Sequence, residues 1–309
     1  MLLFTTNPKN DWFQNLVILA IIMICVLWFK RQDLSAYYEG FSQESPYVYK
    51  YGSEIYDDFY VEIYDKLMET DKQCSYELDN IIESTNPTKK ISVFLDIGSG
   101  TGVFANKLTE KGYTTYAIDK SQAMVNYTAK KYPDLQVKCG DACDAILYEQ
   151  GSFTHILNTG LGIYQFQNKD TFFRNCYFWL RPGGHLILHL VDRDKFDAIV
   201  PGGKPPLLEN PQQYSAKRIT DTIIDFIDFS YLGSYNFSNV NKNQVIFKET
   251  FTDGLTKNVR QNEMVLYMEP LGDILQWASD AGFILHNRSD LKGCTGDSNQ
   301  FLYVLERPI

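Results

Sequence analysis

The residues best placed for chemistry lie in the run Val93-Phe94-Leu95-Asp96-Ile97-Gly98-Ser99-Gly100-Thr101-Gly102. An apolar, β-branched stretch ends in an acid, and a glycine-dense turn then opens into a helical pattern at Val103, Phe104 and Leu108. Such a strand–turn–helix unit offers backbone N–H groups at the helix start to a polar ligand. Glycines suit the turn because a Cβ would bar both the tight bend and the close approach of the ligand. A second strand pattern, Tyr113 to Ile118, ends in Asp119, where a carboxylate can accept hydrogen bonds from both hydroxyls of a ribose. A third, Leu135 to Cys139, runs into Gly140-Asp141-Ala142. A carboxylate and a backbone N–H meet there, a pair that suits the edge of an adenine.

Further candidates follow along the chain. Tyr164 and Gln165 come after a fourth strand pattern, and His189, Asp192 and Arg193 sit at the end of a fifth, the edge where open α/β sheets bind ligands. His189 could serve as a base, and a hydrogen-bonded histidine inside a strand is the competing reading. Asp192 and Arg193 either face the site or pair with each other. Tyr56, Tyr60 and Tyr64 recur every four residues on one helical face, beside a second face of Ile55, Phe59, Ile63 and Leu67. Both stripes could be core. The functional reading lays the helix across the site, with the tyrosines facing a substrate.

These residues need a scaffold, and the pattern supplies one. From residue 91 to Leu190 strands and helices alternate, which implies a parallel sheet with crossover helices. One helix spans 101–111 and stops at Gly112, and another spans 121–131, capped by Ser121 and ended before Pro133. Phe153 to Asn158 reads as a strand, and Trp179-Leu180-Arg181-Pro182-Gly183-Gly184 leads into another at His185 to Leu190. Residues 192–213 hold six prolines and glycines and read as a loop, after which 214–268 reads as an antiparallel insertion on the substrate side, with strands at 226–232, 245–251 and 259–268. A helix opened by Pro270 and two final strands, near 283–287 and 300–306, close the pattern. Upstream, residues 32–52 read as a linker or lid, and Ser53 is placed to cap the tyrosine-bearing helix. The expected division is 1–31, 32–90 and 91–309.

Over roughly residues 90–195 the chain resembles the class I S-adenosylmethionine-dependent methyltransferases, in particular the broad group acting on small molecules. The ordered set carries the resemblance: Asp96-Ile97-Gly98-Ser99-Gly100-Thr101-Gly102, the later Asp119, and Leu180-Arg181-Pro182-Gly183-Gly184. It implies a doubly wound, Rossmann-like sheet, mostly parallel with an antiparallel last strand, and S-adenosyl-L-methionine as cofactor. Asp96, Gly98, Gly100 and Gly102 would then hold the amino-acid end, Asp119 the ribose, and Asp141 with Ala142 the adenine, with Ser99, Lys120, Met124 and Asn158 as further cofactor-binding residues. In similar enzymes the segment before the first strand often covers the cofactor. Family members usually carry an acid where His155 stands, a departure that touches packing more than activity. The Gly-x-Gly-x-Gly spacing fits this family better than a Gly-x-Gly-x-x-Gly dinucleotide site, although an NAD-dependent oxidoreductase stays open, as do a protein methyltransferase and a scaffold that keeps only the fold. The N/D-P-P-Y/F element and Pro-Cys nucleophile of nucleic-acid enzymes are absent, and no Glu occurs between Ser152 and Leu180 to form the paired-glutamate loop of arginine methyltransferases.

Net charge is −9, so no global basic field would draw in nucleic acid. The six cysteines are scattered, with Cys139 and Cys143 the only near pair, and no metal constellation is visible. Leu16 to Phe29 is uninterrupted apolar sequence, and with Trp12 and Phe13 it approaches the span of a bilayer core. Trp12 and Trp28 near its ends and Lys30-Arg31 after it suggest a single-pass membrane anchor with the catalytic domain facing the cytosol. Tethering would favour a small-molecule or lipid-like acceptor.

Overall fold

The computed structural model describes residues 15–26, 43, 45–204, 210–238 and 243–309. The chain divides into two units, Met1–Glu44 and Ser45–Ile309. In the first, residues 15–26 form a helix, α1, on which Leu16, Leu19, Ile22 and Ile24 are exposed. At 1.5 Å per residue its described residues span about 18 Å, less than the roughly 30 Å of a bilayer core. Among the described residues no helix is long and apolar enough to cross a membrane. The expected single-pass anchor, and with it the membrane location and cytosol-facing domain, is therefore corrected. Trp12, Trp28 and Lys30-Arg31 lie outside the described residues.

The second unit begins with β1 (Tyr47–Tyr51), α2 (Asp58–Met68) and α3 (Thr70–Thr85). The alternating part follows as β2 (Val93–Ile97), α4 (Val103–Glu110), β3 (Thr114–Asp119), α5 (Gln122–Lys131), β4 (Gln136–Cys139), β5 (Phe153–Asn158), α6 (Lys169–Trp179) and β6 (Leu180–Val191). Then come β7 (Asp221–Asp225), β8 (Phe229–Asn236), β9 (Gln244–Asp253), β10 (Val259–Tyr267), α7 (Leu271–Asp280), β11 (Ile284–Asp290) and β12 (Gln300–Glu306). The main sheet has the order β11-β12-β6-β5-β2-β3-β4. Its pairs from β4 to β6 are parallel, and β12 is antiparallel to both β6 and β11. Neighbouring Phe94 and Leu95 on β2 point to opposite faces, and both are fully buried, so the sheet centre is covered on both sides. On one side Leu78 and Ile81 of α3 and Phe104 and Leu108 of α4 pack against Phe94, Leu157, Ile187 and Leu302. This is the doubly wound methyltransferase-like architecture the pattern implied.

A second sheet has the order β1-β10-β9-β8-β7. The expected antiparallel insertion is present, but one of its strands comes from upstream: β1 runs parallel to β10. Residues 47–51, read from sequence as linker or lid, alternate in exposure along that edge. The cap also differs. Asp57, not Ser53, receives the Tyr60 N–H at the start of α2, because residues 52–55 form a separate 3-10 turn. Glu69, at φ 46°, breaks the chain between α2 and α3.

Gly102 shows why the turn after β2 is built from glycine. It caps α4 at φ +76°, and a Cβ there would lie 2.4 Å from Cγ2 of Thr128 on α5. Replacing Gly102 with Ala is expected to lower unfolding free energy by about 2 kcal/mol or more, read from the urea midpoint at unchanged slope. A loss under about 0.5 kcal/mol would mean that α5 yields freely.

Candidate active site

Two adjoining cavities open at the carboxyl ends of the parallel strands. The first, about 480 Å³, is bordered by Gly98, Gly100, Asp119, Lys120, Met124, Asp141, Ala142 and Asn158. The second, about 340 Å³, is bordered by Asp96, Ser99, Gln73, Glu77, His189 and Asp197 among others. Tyr64, Gly98, Gly100, Thr159 and Gly160 border both.

The first cavity gathers nearly all the residues assigned to a cofactor. Asp119 receives the Gly100 N–H through Oδ2 and the Ser121 N–H through Oδ1, both at 2.8 Å. Burial raises its pKa, against the pull of those N–H groups. Ser121 also caps α5, receiving the Met124 N–H at 3.1 Å, which sets buried Met124 into the wall. Asp141 receives the Cys143 N–H at 2.9 Å and pairs with Lys120 at 2.9 Å. Burial alone would raise its pKa, and those two partners outweigh it and lower it. Gly102 borders neither cavity, and its contribution is the packing against Thr128.

Three buried polar atoms at this junction have no partner among the described residues: Oδ2 of Asp96, Oγ of Ser99 and Oδ1 of Asn158. Asn158 is fixed by donating from Nδ2 to the Ile97 carbonyl at 2.9 Å. Gly162 leaves it room, since a Cβ there would lie 2.6 Å from Nδ2 of Asn158. Burial, with the charge of Asp119, pushes Asp96 up to about 7. Unsatisfied buried groups are costly, and three of them at one turn suit a ligand with its own polar ends.

The tyrosine stripe divides. Tyr56 and Tyr64 border the first cavity, with Gln165 donating to the Tyr56 hydroxyl at 3.0 Å. Tyr60 borders neither cavity, because its hydroxyl donates to buried Glu249 at 2.8 Å. Tyr164 is also turned away: its hydroxyl receives the Val191 N–H at 2.8 Å and ties the loop after β5 to the end of β6. Asp192 pairs with Lys195 at 3.0 Å and Arg193 gives its carbonyl to Arg218, so they do not pair with each other and border neither cavity. His189 does border the second cavity, but both ring nitrogens are engaged. Nδ1 lies 3.2 Å from Gln73 Nε2 and Nε2 lies 3.1 Å from Gln300 Oε1, which fixes the neutral tautomer with its proton on Nε2. Burial lowers its pKa to about 4. A donor on one side and an acceptor on the other occupy both ring nitrogens, and Oε1 of Glu77 lies 3.5 Å from Nδ1.

Sequence reasoning missed the acids of the second cavity. Glu77 on α3 is 1% exposed and receives a hydrogen bond from Gln73 at 3.0 Å. Burial raises its pKa to about 7, partly offset by Gln73. Asp197, 4% exposed, pairs with Lys204 at 2.8 Å. Asn210 donates to it at 2.8 Å. No spacing signal marked either acid, since both depend on loops and helices that converge from distant sequence.

A family model described as a methyltransferase domain matches residues 95–188. The chain carries a class I S-adenosylmethionine-dependent methyltransferase domain. It is an enzyme domain, and S-adenosylmethionine is the cofactor that such a domain uses. A glycine N-methyltransferase from Rattus norvegicus is 28% identical over 153 residues, 42% of this chain and 50% of that protein. The chain thus spans about half the length of that curated relative. Among solved structures, an S-adenosylmethionine-dependent methyltransferase from Clostridium acetobutylicum superposes with a TM-score of 0.61 at 17% identity, covering 81% of this chain and 98% of the other. An amino pentose methyltransferase from Micromonospora echinaspora, solved with S-adenosylmethionine bound, gives 0.55 at 14% identity, covering 77% and 91%. At these identities the solved structures speak for the fold.

Glu77 yields a pH prediction. Its folded pKa of about 7 lies above the ordinary 4.5, so the native state holds this proton more tightly than the unfolded one. Its effect on stability is therefore most favourable below pH 4.5 and is lost as pH rises to 7. Glu77→Gln should flatten that part of the profile and make the ligand-free protein more stable than wild type at pH 8, by roughly 2–3 kcal/mol. His189, lowered to about 4, acts in the opposite sense as pH falls from 6.5 to 4 and is common to both proteins. Parallel urea profiles at every pH would refute the buried-acid reading.

Proposed function

We propose that the protein transfers a methyl group from S-adenosylmethionine to an amine on a small molecule held in the second cavity. The observation carrying this reading is the pair of buried carboxylates Glu77 and Asp197 there, beside Asp96 at the junction; Lys204 pairs with Asp197, and the other bordering cations, Lys72 and Lys292, are exposed. A cavity lined by acids favours an ammonium over an anion. The curated relative is a glycine N-methyltransferase and one solved neighbour an amino pentose methyltransferase, names that support an amine acceptor. The preference for a lipid-like acceptor rested on the membrane anchor and goes with it.

In this reading Asp96, Ser99, Asn158 and the N–H groups of the glycine turn hold the amino-acid end of the cofactor, Asp119 the ribose, and Asp141 with Ala142 the adenine. When bound, S-adenosylmethionine supplies a methyl group activated by its sulfonium charge. The protein's own part is mostly alignment and protection. Tyr64, shared by both cavities, closes the boundary between donor and acceptor against water. Glu77, with a pKa near neutrality, takes up the proton that an ammonium must lose before its nitrogen becomes nucleophilic. The helix α2 and the turn at 52–55 act as the lid.

Isothermal titration should show binding of S-adenosylhomocysteine and none of NAD. Asp119→Ala should weaken that binding about tenfold or more, the loss expected for hydrogen bonds to a charged acceptor. Binding of NAD alone would overturn the cofactor assignment. With labelled methyl donor, a panel of amino acids and amino sugars should be labelled on nitrogen. Labelling confined to hydroxyl or carboxyl acceptors would reject the amine reading while leaving the methyltransferase intact.

A further inference from the structure

Three of the chain's four histidines lie in a row across the main sheet, and none of them borders either cavity. His155 on β5 stands opposite His185 on β6, and His185 stands opposite Glu306 on β12. Directly paired residues project to the same face. The next strand should break the series, because Leu285 pairs with Leu305 while Asn287 pairs with Val304. His286 is the extra residue of that bulge, and a bulge re-aims a side chain. Its ring comes to rest 4.7 Å from the ring of His185, and donor atoms of His185, His286 and Glu306 all lie within 4.8 Å of one another.

The hydrogen bonds of His286 sharpen the case. Nε2 lies 3.2 Å from the Ser84 carbonyl oxygen, which can only accept, so Nε2 carries a proton. Nδ1 lies 3.0 Å from Oε2 of Glu306. A neutral ring would then point a lone pair at a carboxylate, two acceptors face to face. Something electropositive belongs between them. A proton would satisfy that pair alone, whereas a divalent cation would also draw on His185. The Ser84 contact matches the outer support that metal-binding imidazoles commonly have, with the second ring N–H given to a backbone carbonyl.

We propose that His185, His286 and Glu306 form a zinc site on the β6–β12–β11 edge, apart from the methyl-transfer centre. Two imidazoles and one carboxylate are a zinc donor set that leaves a fourth position to water. To bind an ion at about 2.0–2.2 Å, the His286–Glu306 pair, now 3.0 Å apart, would open slightly and the His185 donor would move in from within 4.8 Å. The ion would staple β6 to β12 and the bulge of β11, and through Ser84 reach the end of α3.

The test uses the full chain, stripped with a chelator and then titrated with Zn2+, and separately with Co2+ for its visible spectrum. One equivalent per chain is expected, with Co2+ bands of low-symmetry, four-coordinate intensity. His286→Ala, at an exposed ring, and Glu306→Gln should each weaken binding at least about tenfold while leaving S-adenosylhomocysteine affinity unchanged. Zinc binding that survives both substitutions would place the ion elsewhere, for example on the free cysteines, and overturn the proposal. No stoichiometric binding to the wild-type chain would overturn it too, leaving a proton between His286 and Glu306.

Discussion

The site depends on one carboxylate. Asp119 receives backbone N–H groups from Gly100, in the turn after β2, and from Ser121, at the head of α5. Two loops from neighbouring parallel strands are thereby held at a fixed separation, and the floor of the first cavity is the space between them. The same acid must stay close to charged while buried, which the two N–H groups make feasible against the cost of desolvation. With Asp119 in place, Gly98 and Gly100 bring bare backbone to the cavity, and Thr128 closes the turn from behind by donating to the Gly100 carbonyl at 3.0 Å.

A second buried carboxylate organises the cover. Glu249, on the central strand β9 of the smaller sheet, receives hydrogen bonds from Tyr60 at 2.8 Å, Tyr231 at 3.0 Å and Asn262 at 3.2 Å. Arg260 beside it reaches Asp57, the cap of α2, at 2.9 Å and the Ile55 carbonyl at 3.1 Å. These contacts clamp the start of α2 to the smaller sheet, while β1 adds itself to the edge of that sheet. Tyr60 is used up by the clamp, leaving its neighbours Tyr56 and Tyr64 to face the cavities. Helical spacing put the three tyrosines on one stripe, and a single buried acid decided which of them borders a cavity.

The first cavity was legible because its lining is local. A strand, a glycine turn and a helix start lie within ten residues, Asp119 ends β3, and Asp141 follows the end of β4 by two residues. The second cavity was not, because its walls come from α3, the segment after β6 and the stretch before the last strand, far apart in sequence. Glu77 sits in a helix whose neighbours include Asp71, Lys72 and Asp79, so its own type says nothing of burial. Tyr164 and Asp192 sat at the correct edge of the sheet but turned to a backbone and a lysine partner, and Arg193 meets Arg218 through its own carbonyl, choices made by packing.

Sequence alone therefore determined the parallel sheet, its order of glycine turn and acids, and the class of cofactor, since each rests on φ/ψ demands and periodicities that act over a few residues. It also offered an apolar run as a membrane anchor, a reading that the described helix is too short to sustain. Tertiary structure alone decided which acids are buried, that Glu249 and not a ligand holds Tyr60, and that a one-residue bulge carries His286 across to Glu306. Those outcomes depend on contacts between residues as far apart as Tyr60 and Glu249, where desolvation and the matching of donors to acceptors are fixed only once the chain has closed on itself.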